Sequence, residues 1–243
     1  MTFDRRRLLS SGLAGGAALA LPGVSLAARS APFRRLAVAD PPFVEEYEVV
    51  IAAAPPLARG IVGRVLTRAV TETDEYLKSE KLTAALDPDK TQLHEHFVQA
   101  LADELSEAEV KTLLVPVEAA DSEDKLMAQM RRKAPQADAL LLANVMGRFV
   151  ALHGLAAYAP ALMVGVKVIP AQTGAGSKPL LDAVFTAGFR GLDPRATHLE
   201  VVDMPERFDN VQALLGQVEQ ARKALQSGVE AVAAEVARRL MPA

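Results

Sequence analysis

Two apolar stretches decide the fold: Ala137–Val150, which reads ADALLLANVMGRFV, and Ala161–Pro170, which reads ALMVGVKVIP. Both are short, and the second is rich in β-branched residues, which is typical of a strand with both faces covered. Pro160 and Pro170 limit the second run to the length of a strand. We therefore expect two central strands in a sheet that the amphipathic helices of the chain cover.

Upstream of these strands, extended and helical patterns alternate. Strands are predicted at Phe33–Ala39, Tyr47–Ala54 and Val110–Val117. Helices are predicted at Leu57–Lys81, after the Asp87-Pro88 cap, and from Asp121 or Ser122 to Pro135. The second of these helices has a buried stripe of Leu93, Phe97, Leu101 and Leu105. Alternation of this kind predicts crossover connections and parallel pairing in this half, with Pro116 at an edge or a strand end.

Downstream, the spacing changes. The ten residues Ala151–Pro160 are too few for a helical crossover, so the two central strands are expected to be antiparallel neighbours. A further strand is predicted at Leu180–Gly188, then an irregular stretch to Met204. An apolar stripe predicts one long helix or a broken pair over Pro205–Leu240, with a bend near Gly228. We expect this stripe to cover the sheet; the alternative is that part of the helix pairs with another helix.

Together, these patterns predict an α/β fold. The sheet is mixed and partly parallel, has about five strands, ends in an antiparallel meander and is flanked by helices, the last of them long. Residues 28–243 are expected to form one domain, because the sequence contains no internal repeat and no low-complexity linker.

The first residues have the layout of an export signal. Arg5 and Arg6 lie in a charged start, an apolar run follows, and small residues around Ser25 and Ala27 suit a cleavage site. The apolar run is too short to span a membrane convincingly. We expect residues 1–27 to be a cleavable signal, with no stable membrane insertion after cleavage. Its removal leaves 24 Lys and Arg against 29 Asp and Glu, a net charge of −5.

The arginine pair, followed by Leu8 and Leu9, resembles the twin-arginine signal of bacteria. Two positions depart from that pattern, since Asp4 replaces a hydroxyl residue and Leu8 replaces phenylalanine. This resemblance implies a periplasmic protein that is exported by the twin-arginine route, with the general secretory route as the alternative.

Composition excludes several kinds of site. The chain has no cysteine, so it has no disulfide framework, thiolate nucleophile or cysteine-bound metal, and its net charge of −3 argues against nucleic acid as a partner. His94 and His96 would differ by about 200° around a helix and could not share one ion, so two ordinary surface or boundary histidines are expected. The stretch Thr173–Lys178 lacks the order of a phosphate loop and is predicted to be a turn. We predict no metal ion and no cofactor.

No catalytic residue can be assigned from the sequence. His153 and Tyr158 lie in the connection between the two central strands and are candidates for contact with a ligand or partner, since loops on a rigid scaffold often carry function. Ser177, Asp182 and His198 are present, but no nucleophile elbow accompanies them.

The order of elements resembles the α/β domain of bacterial envelope proteins, such as the amino-terminal domain of TolB and the curli-secretion lipoprotein. The resemblance covers about Phe33–Leu240 and rests on element order and on strand segments: Leu36-Ala37-Val38, Leu113-Leu114-Val115, Asp138-Ala139-Leu140-Leu141 and Leu162-Met163-Val164-Gly165-Val166. It implies a non-catalytic binding or assembly role at the envelope, with another envelope protein or a second copy as the partner. The alternative is a small periplasmic hydrolase with its site near His153 and Tyr158.

Overall fold

The computed structural model describes residues 31–40, 45–51, 75–153, 155–172, 178–188, 197–198 and 204–241. The signal motif (Arg5, Arg6, Leu8, Leu9), the cleavage region (Ser25, Ala27), most of the predicted Leu57–Lys81 helix and the turn at 173–177 lie outside the described residues.

The mixed α/β class is confirmed, with the antiparallel meander and the long C-terminal helix in their predicted places. The strands are β1 Arg35–Asp40, β2 Tyr47–Ile51, β3 Lys111–Pro116, β4 Ala139–Ala151, β5 Ala159–Pro170, β6 Leu181–Ala187 and β7 Thr197–His198. The helices are α1 at residues 75–86, α2 Pro88–Thr91, α3 Leu93–Ser106, α4 Glu123–Lys133, α5 Val211–Gly216 and α6 Val218–Leu240.

The described strands form one sheet in the order β3-β1-β4-β5-β6-β7. Strand β1 is parallel to both β3 and β4, whereas β4, β5 and β6 are antiparallel neighbours, as the short connection between the central strands predicted. Strand β2 also pairs with β4, in parallel, from Tyr47 opposite Gly147 to Ile51 opposite Ala151. Because β5 occupies the other side of β4 along its length, β1 and β2 lie one after the other on the same side of this strand.

One face of the sheet is covered by α3 and α6. The predicted stripe of α3 is fully buried, and α6 buries Leu225, Val229, Val232 and Val236 in the same apolar cluster as the inward side chains of β4 and β5. At ~1.5–3 kcal/mol for each such side chain, this burial is the main stabilisation of both helices.

The predicted bend near Gly228 is wrong. The helix is interrupted at Gln217, between α5 and α6, and Gly228 lies inside the continuous helix α6. A Cβ atom at Gly228 would lie 2.5 Å from Cδ1 of Leu162 and 3.0 Å from Cε of Met204. The missing side chain therefore allows α6 to pack closely on β5, which is why glycine is tolerated inside the helix.

The predicted helix after Asp87 is two helices. The first begins at Pro88 as predicted, but the expected capping hydrogen bond from the Asp87 side chain is absent. Asp87 and Gln92 have φ values of 55° and 46°, which interrupt the helical path on either side of α2. The Asp87 carboxylate makes no capping hydrogen bond and pairs with Lys90 at 2.8 Å. The amino end of α3 is instead capped by a residue that is distant in sequence: Oε1 of Glu45 accepts a hydrogen bond from the His94 amide at 2.7 Å. A carboxylate at this position stabilises the helix through its dipole.

Candidate functional site

A groove lies on the second face of the sheet, beside α4. Of the described helices, α4 alone contributes to the apolar cluster on this face, through Met127 and Met130 against Ala37, Val115 and Leu140. The helix has 11 residues and a length of about 16 Å at 1.5 Å per residue. It therefore covers β1 and the start of β4 but does not extend over the middle of β4, β5 and β6.

The groove has a volume of about 510 Å³, which is within the usual range of about 300–1,000 Å³ for ligand sites. Its floor contains Leu142 and Asn144 of β4 and Gly165 of β5. Two walls enclose it: Ala119, Ala120 and Leu126 on the α4 side, and Asp182 and Val184 on β6.

Small side chains give the groove its depth. Ala119 and Ala120 add little bulk to the wall, and a Cβ atom at Gly165 would meet nothing within 4 Å. The floor at Gly165 therefore has room for an added side chain, so a substitution there can fill the groove from below without disturbing the packing of the sheet.

Charged side chains lie at one end of the groove. Nζ of Lys167 is 2.5 Å from Oε2 of Glu123, and these side chains are 36% and 61% exposed. The hydrogen bond that Lys167 donates to Glu123 raises the pKa of Lys167, and attraction to Asp182 and Asp124 raises it further. The lining thus contains one ammonium group and two carboxylates, those of Glu123 and Asp182, which leaves this end of the groove with a net negative charge.

The chemistry that the lining can perform is limited. Among the described residues that line the groove, none is a histidine, serine, threonine or cysteine, so the groove offers no hydroxyl or thiol nucleophile and no imidazole base. An apolar floor with a carboxamide from Asn144 and an acidic end suits the binding of an apolar, positively charged group.

The two loop candidates, His153 and Tyr158, lie outside the groove lining. Tyr158 is buried and exchanges backbone hydrogen bonds of 2.8 and 2.9 Å with Phe208. His153 is exposed, and its Nδ1 accepts a hydrogen bond of 3.3 Å from the amide of Leu155. Tyr158 thus holds the segment that precedes α5 next to the start of β5, whereas His153 lies on the surface.

No protein-family model and no curated protein matches the chain. Within the part of the chain that the structure describes, no helix is both long enough and apolar enough to cross a bilayer. In the same part, no group of three or more His, Cys, Asp or Glu side chains is placed to hold a metal ion.

The expectation of two surface or boundary histidines is wrong for His94, whereas His96 is half-buried. The His94 side chain is buried, and its Nε2 lies 3.2 Å from the Ala39 carbonyl oxygen. Nε2 of His96 lies 2.8 Å from Nε2 of Gln226 on α6. The two rings therefore pack against different elements, in agreement with their two-residue spacing on a helix.

A second polar cluster, between α2 and α6, is structural. Arg222 is buried and donates to the Leu86 carbonyl at 2.8 Å, to Oγ1 of Thr91 at 3.2 Å and to Glu219 at 2.6 Å. Nearby, burial and the hydrogen bond to Glu45 raise the pKa of Tyr47 far above its ordinary range. These contacts satisfy the buried groups and tie the turn at α2 to α6.

The sequence prediction missed the groove residues. The signal that could have identified them is the position of the polar and glycine residues in the central strands. Asn144 interrupts one apolar run, and Gly165 and Lys167 interrupt the other at alternate positions, where side chains share one face. In the antiparallel register Asn144 lies opposite Gly165. The acidic partner, Glu123, comes from a distant helix and has no local sequence signal.

Proposed function

We propose that the protein is exported to the periplasm by the twin-arginine route and has a non-catalytic binding or assembly role at the cell envelope. The groove beside α4 is the observation that carries the binding role, because it combines ligand-sized volume, an apolar floor and a described lining without hydroxyl or thiol nucleophiles. The resemblance in element order to the α/β domains of envelope proteins supports the same role.

The alternative role as a hydrolase receives less support from the geometry. It places the site in the loops near His153 and Tyr158, but Tyr158 is buried against Phe208 and His153 is exposed. A general base must lie within hydrogen-bond reach of the proton that it abstracts. We therefore prefer binding to hydrolysis.

The export proposal is tested by replacing Arg5 and Arg6 with lysine. Arg7→Lys is the matched control, since it changes the same kind of side chain but keeps the pair. We expect fractionation to show that the double variant stays in the cytoplasm while the Arg7 variant reaches the periplasm. Periplasmic arrival of the double variant would assign export to the general secretory route.

The binding proposal is tested with Gly165→Val. This change fills the groove, and its Cβ meets nothing within 4 Å, so the fold should persist. Gly216→Val is the matched control, because Gly216 is exposed and is equally free of close neighbours. We expect tagged protein from cells to co-purify with the same envelope partner in wild type and control but not in the groove variant. Equal recovery in all three would contradict the groove as the binding site.

A further inference from the structure

We infer that the groove beside α4 binds a basic, apolar protein segment, in which leucine-like side chains stand next to lysine or arginine. This inference rests on the proposed binding role and names the chemistry of the partner. It is carried by the distribution of charge at one end of the groove and by the composition of its floor.

Among the side chains that the structure describes, the charge at the acidic end is not balanced. Lys167 is engaged with Glu123 at 2.5 Å, so that pair is close to neutral. Asp182 lines the groove and Asp124 lies near enough to act on Lys167, and the two remain as excess negative charge. The nearby Asp121 is paired with Lys125 at 2.8 Å and adds nothing to this excess. An anionic ligand would be repelled here, whereas a cationic side chain would be attracted.

The floor selects for apolar character. Leu142, Leu126 and Val184 provide aliphatic surface, and the only uncharged polar side chain in the described lining is that of Asn144. A fully hydrated polar chain would gain little from burying these surfaces, whereas aliphatic side chains gain from each contact. The position of the carboxylates at one end then orients the segment, since a lysine or arginine next to the apolar side chains can reach Asp182.

The experiment measures binding of two short labelled peptides of equal length, one of alternating leucine and lysine and the other of alternating leucine and glutamate. Fluorescence anisotropy gives the dissociation constant for the purified protein at low and high salt. The charge variant is Asp124→Asn with Asp182→Asn, which leaves the Lys167–Glu123 pair intact. Its control is Glu107→Gln with Glu230→Gln, two exposed carboxylates outside the groove lining, so that both variants have the same net charge.

We expect the lysine peptide to bind and the glutamate peptide not to bind. The charge variant should weaken binding of the lysine peptide by about fivefold, whereas the control should differ from wild type by less than about twofold. High salt should remove most of this difference. Gly165→Val should abolish binding, because it fills the floor.

Three results would overturn the inference. The first is equal binding of both peptides, and the second is an equal effect of the charge variant and its control. In either of these cases the binding role would still stand if the Gly165→Val variant failed to co-purify with the partner from cells. The third is self-association in sedimentation that Gly165→Val removes, which would assign the groove to a second copy of the chain. The binding role itself fails only when partner recovery is unaffected by Gly165→Val.

Discussion

Gly228 lies in α6 against Leu162 of β5 and Met204, and it fixes how closely the helix approaches the sheet. A Cβ atom here would come within 2.5 Å of Cδ1 of Leu162. That carbon belongs to a fully buried side chain, so it has little freedom to move away. The energetic cost of a clash at this position is therefore larger than the gain in helix propensity that alanine would bring.

Gly228→Ala should destabilise the protein by ~1–3 kcal/mol, because the overpacking outweighs the gain of about 1 kcal/mol in helix propensity. Urea unfolding followed by circular dichroism measures the change. Gly216→Ala is the control and should be neutral or stabilising, since its Cβ would meet nothing within 4 Å. A stabilised Gly228→Ala variant would show that α6 packs less tightly than the structure indicates.

Asp138 joins the starts of β1 and β4. Its carboxylate pairs with Arg35 at 3.0 Å and accepts hydrogen bonds from the backbone amides of Arg34 and Arg35 at 3.1 and 2.9 Å. The hydrogen bond from the Arg35 side chain, helped by these amides, lowers the pKa of Asp138. The ionised carboxylate is thus favoured in the folded state.

The sign of the pH dependence follows from that lowered pKa. The contribution of Asp138 to stability is fully present above the unfolded-state pKa of about 3.9 and is lost as pH falls through the lower folded-state pKa. Asp138→Asn should therefore reduce the free energy of unfolding at neutral pH, and the difference from wild type should shrink in acid. Denaturant unfolding at several pH values measures this. A difference that is constant with pH would mean that the carboxylate charge is not responsible.

At the scale of the elements, β3 forms one edge of the sheet, in agreement with the prediction from Pro116. The amide of Lys111 donates to the carbonyl of Arg34, just before β1, and the amide of Val117 donates to Asp40 at the end of β1, so the amides of the alternate positions point outward. Pro116 occupies an outward position and has no amide hydrogen, and its carbonyl accepts from Nζ of Lys133 at 2.8 Å. The end of this strand is thereby closed to pairing with another chain.

Pro116→Val should open this edge, because valine restores an outward amide and favours extended structure. We expect greater self-association at high protein concentration, measured by sedimentation velocity. Pro205→Val, at an exposed position outside the sheet, is the control and should sediment like wild type. If the two variants sediment alike, Pro116 does not protect the edge.

The elements differ in how far the sequence determines them. The central strands, the stripe of α3 and helix α4 could be predicted because apolar periodicity is a local signal. The breaks around α2 could not, because Asp87 and Gln92 are residues that rarely take positive φ, and they do so here in the context of tertiary contacts. Gly228 was misassigned for the same reason, since only the packing on Leu162 shows why a glycine lies there.

The groove could be predicted only in part. Asn144, Gly165 and Lys167 leave a period-two signal in the strands, but the approach of Glu123 depends on how α4 crosses the sheet. The candidates proposed from the sequence, His153 and Tyr158, were chosen by their place in a loop. Loop position alone does not tell a buried tyrosine from an exposed one.

Over the whole molecule, the main core extends from Phe33 to Met241, so both ends of the described chain contribute to it. Removal of the residues after Gly228 would take away the buried side chains Val229, Val232, Val236 and Leu240. We expect the truncated protein to lose cooperative thermal unfolding, because the truncation exposes to water the apolar face of the sheet that these side chains cover. A truncated protein that melts like wild type would show that this part of α6 belongs to an interface and not to the core.

The pairing of β1 with β4 has a consequence for the timing of folding in the cell. Leu36 pairs with Ala139, and the cover over their face is completed by a helix that ends at Leu240. At about 5–20 residues per second, synthesis of the chain from Leu36 to Leu240 lasts roughly 10–40 s, and the sheet lacks its last helix until the end of that interval. The apolar face of the sheet therefore stays uncovered by α6 while the rest of the chain is made. An export machine that accepts only folded cargo would engage this protein after α6 has been made and has packed on the sheet.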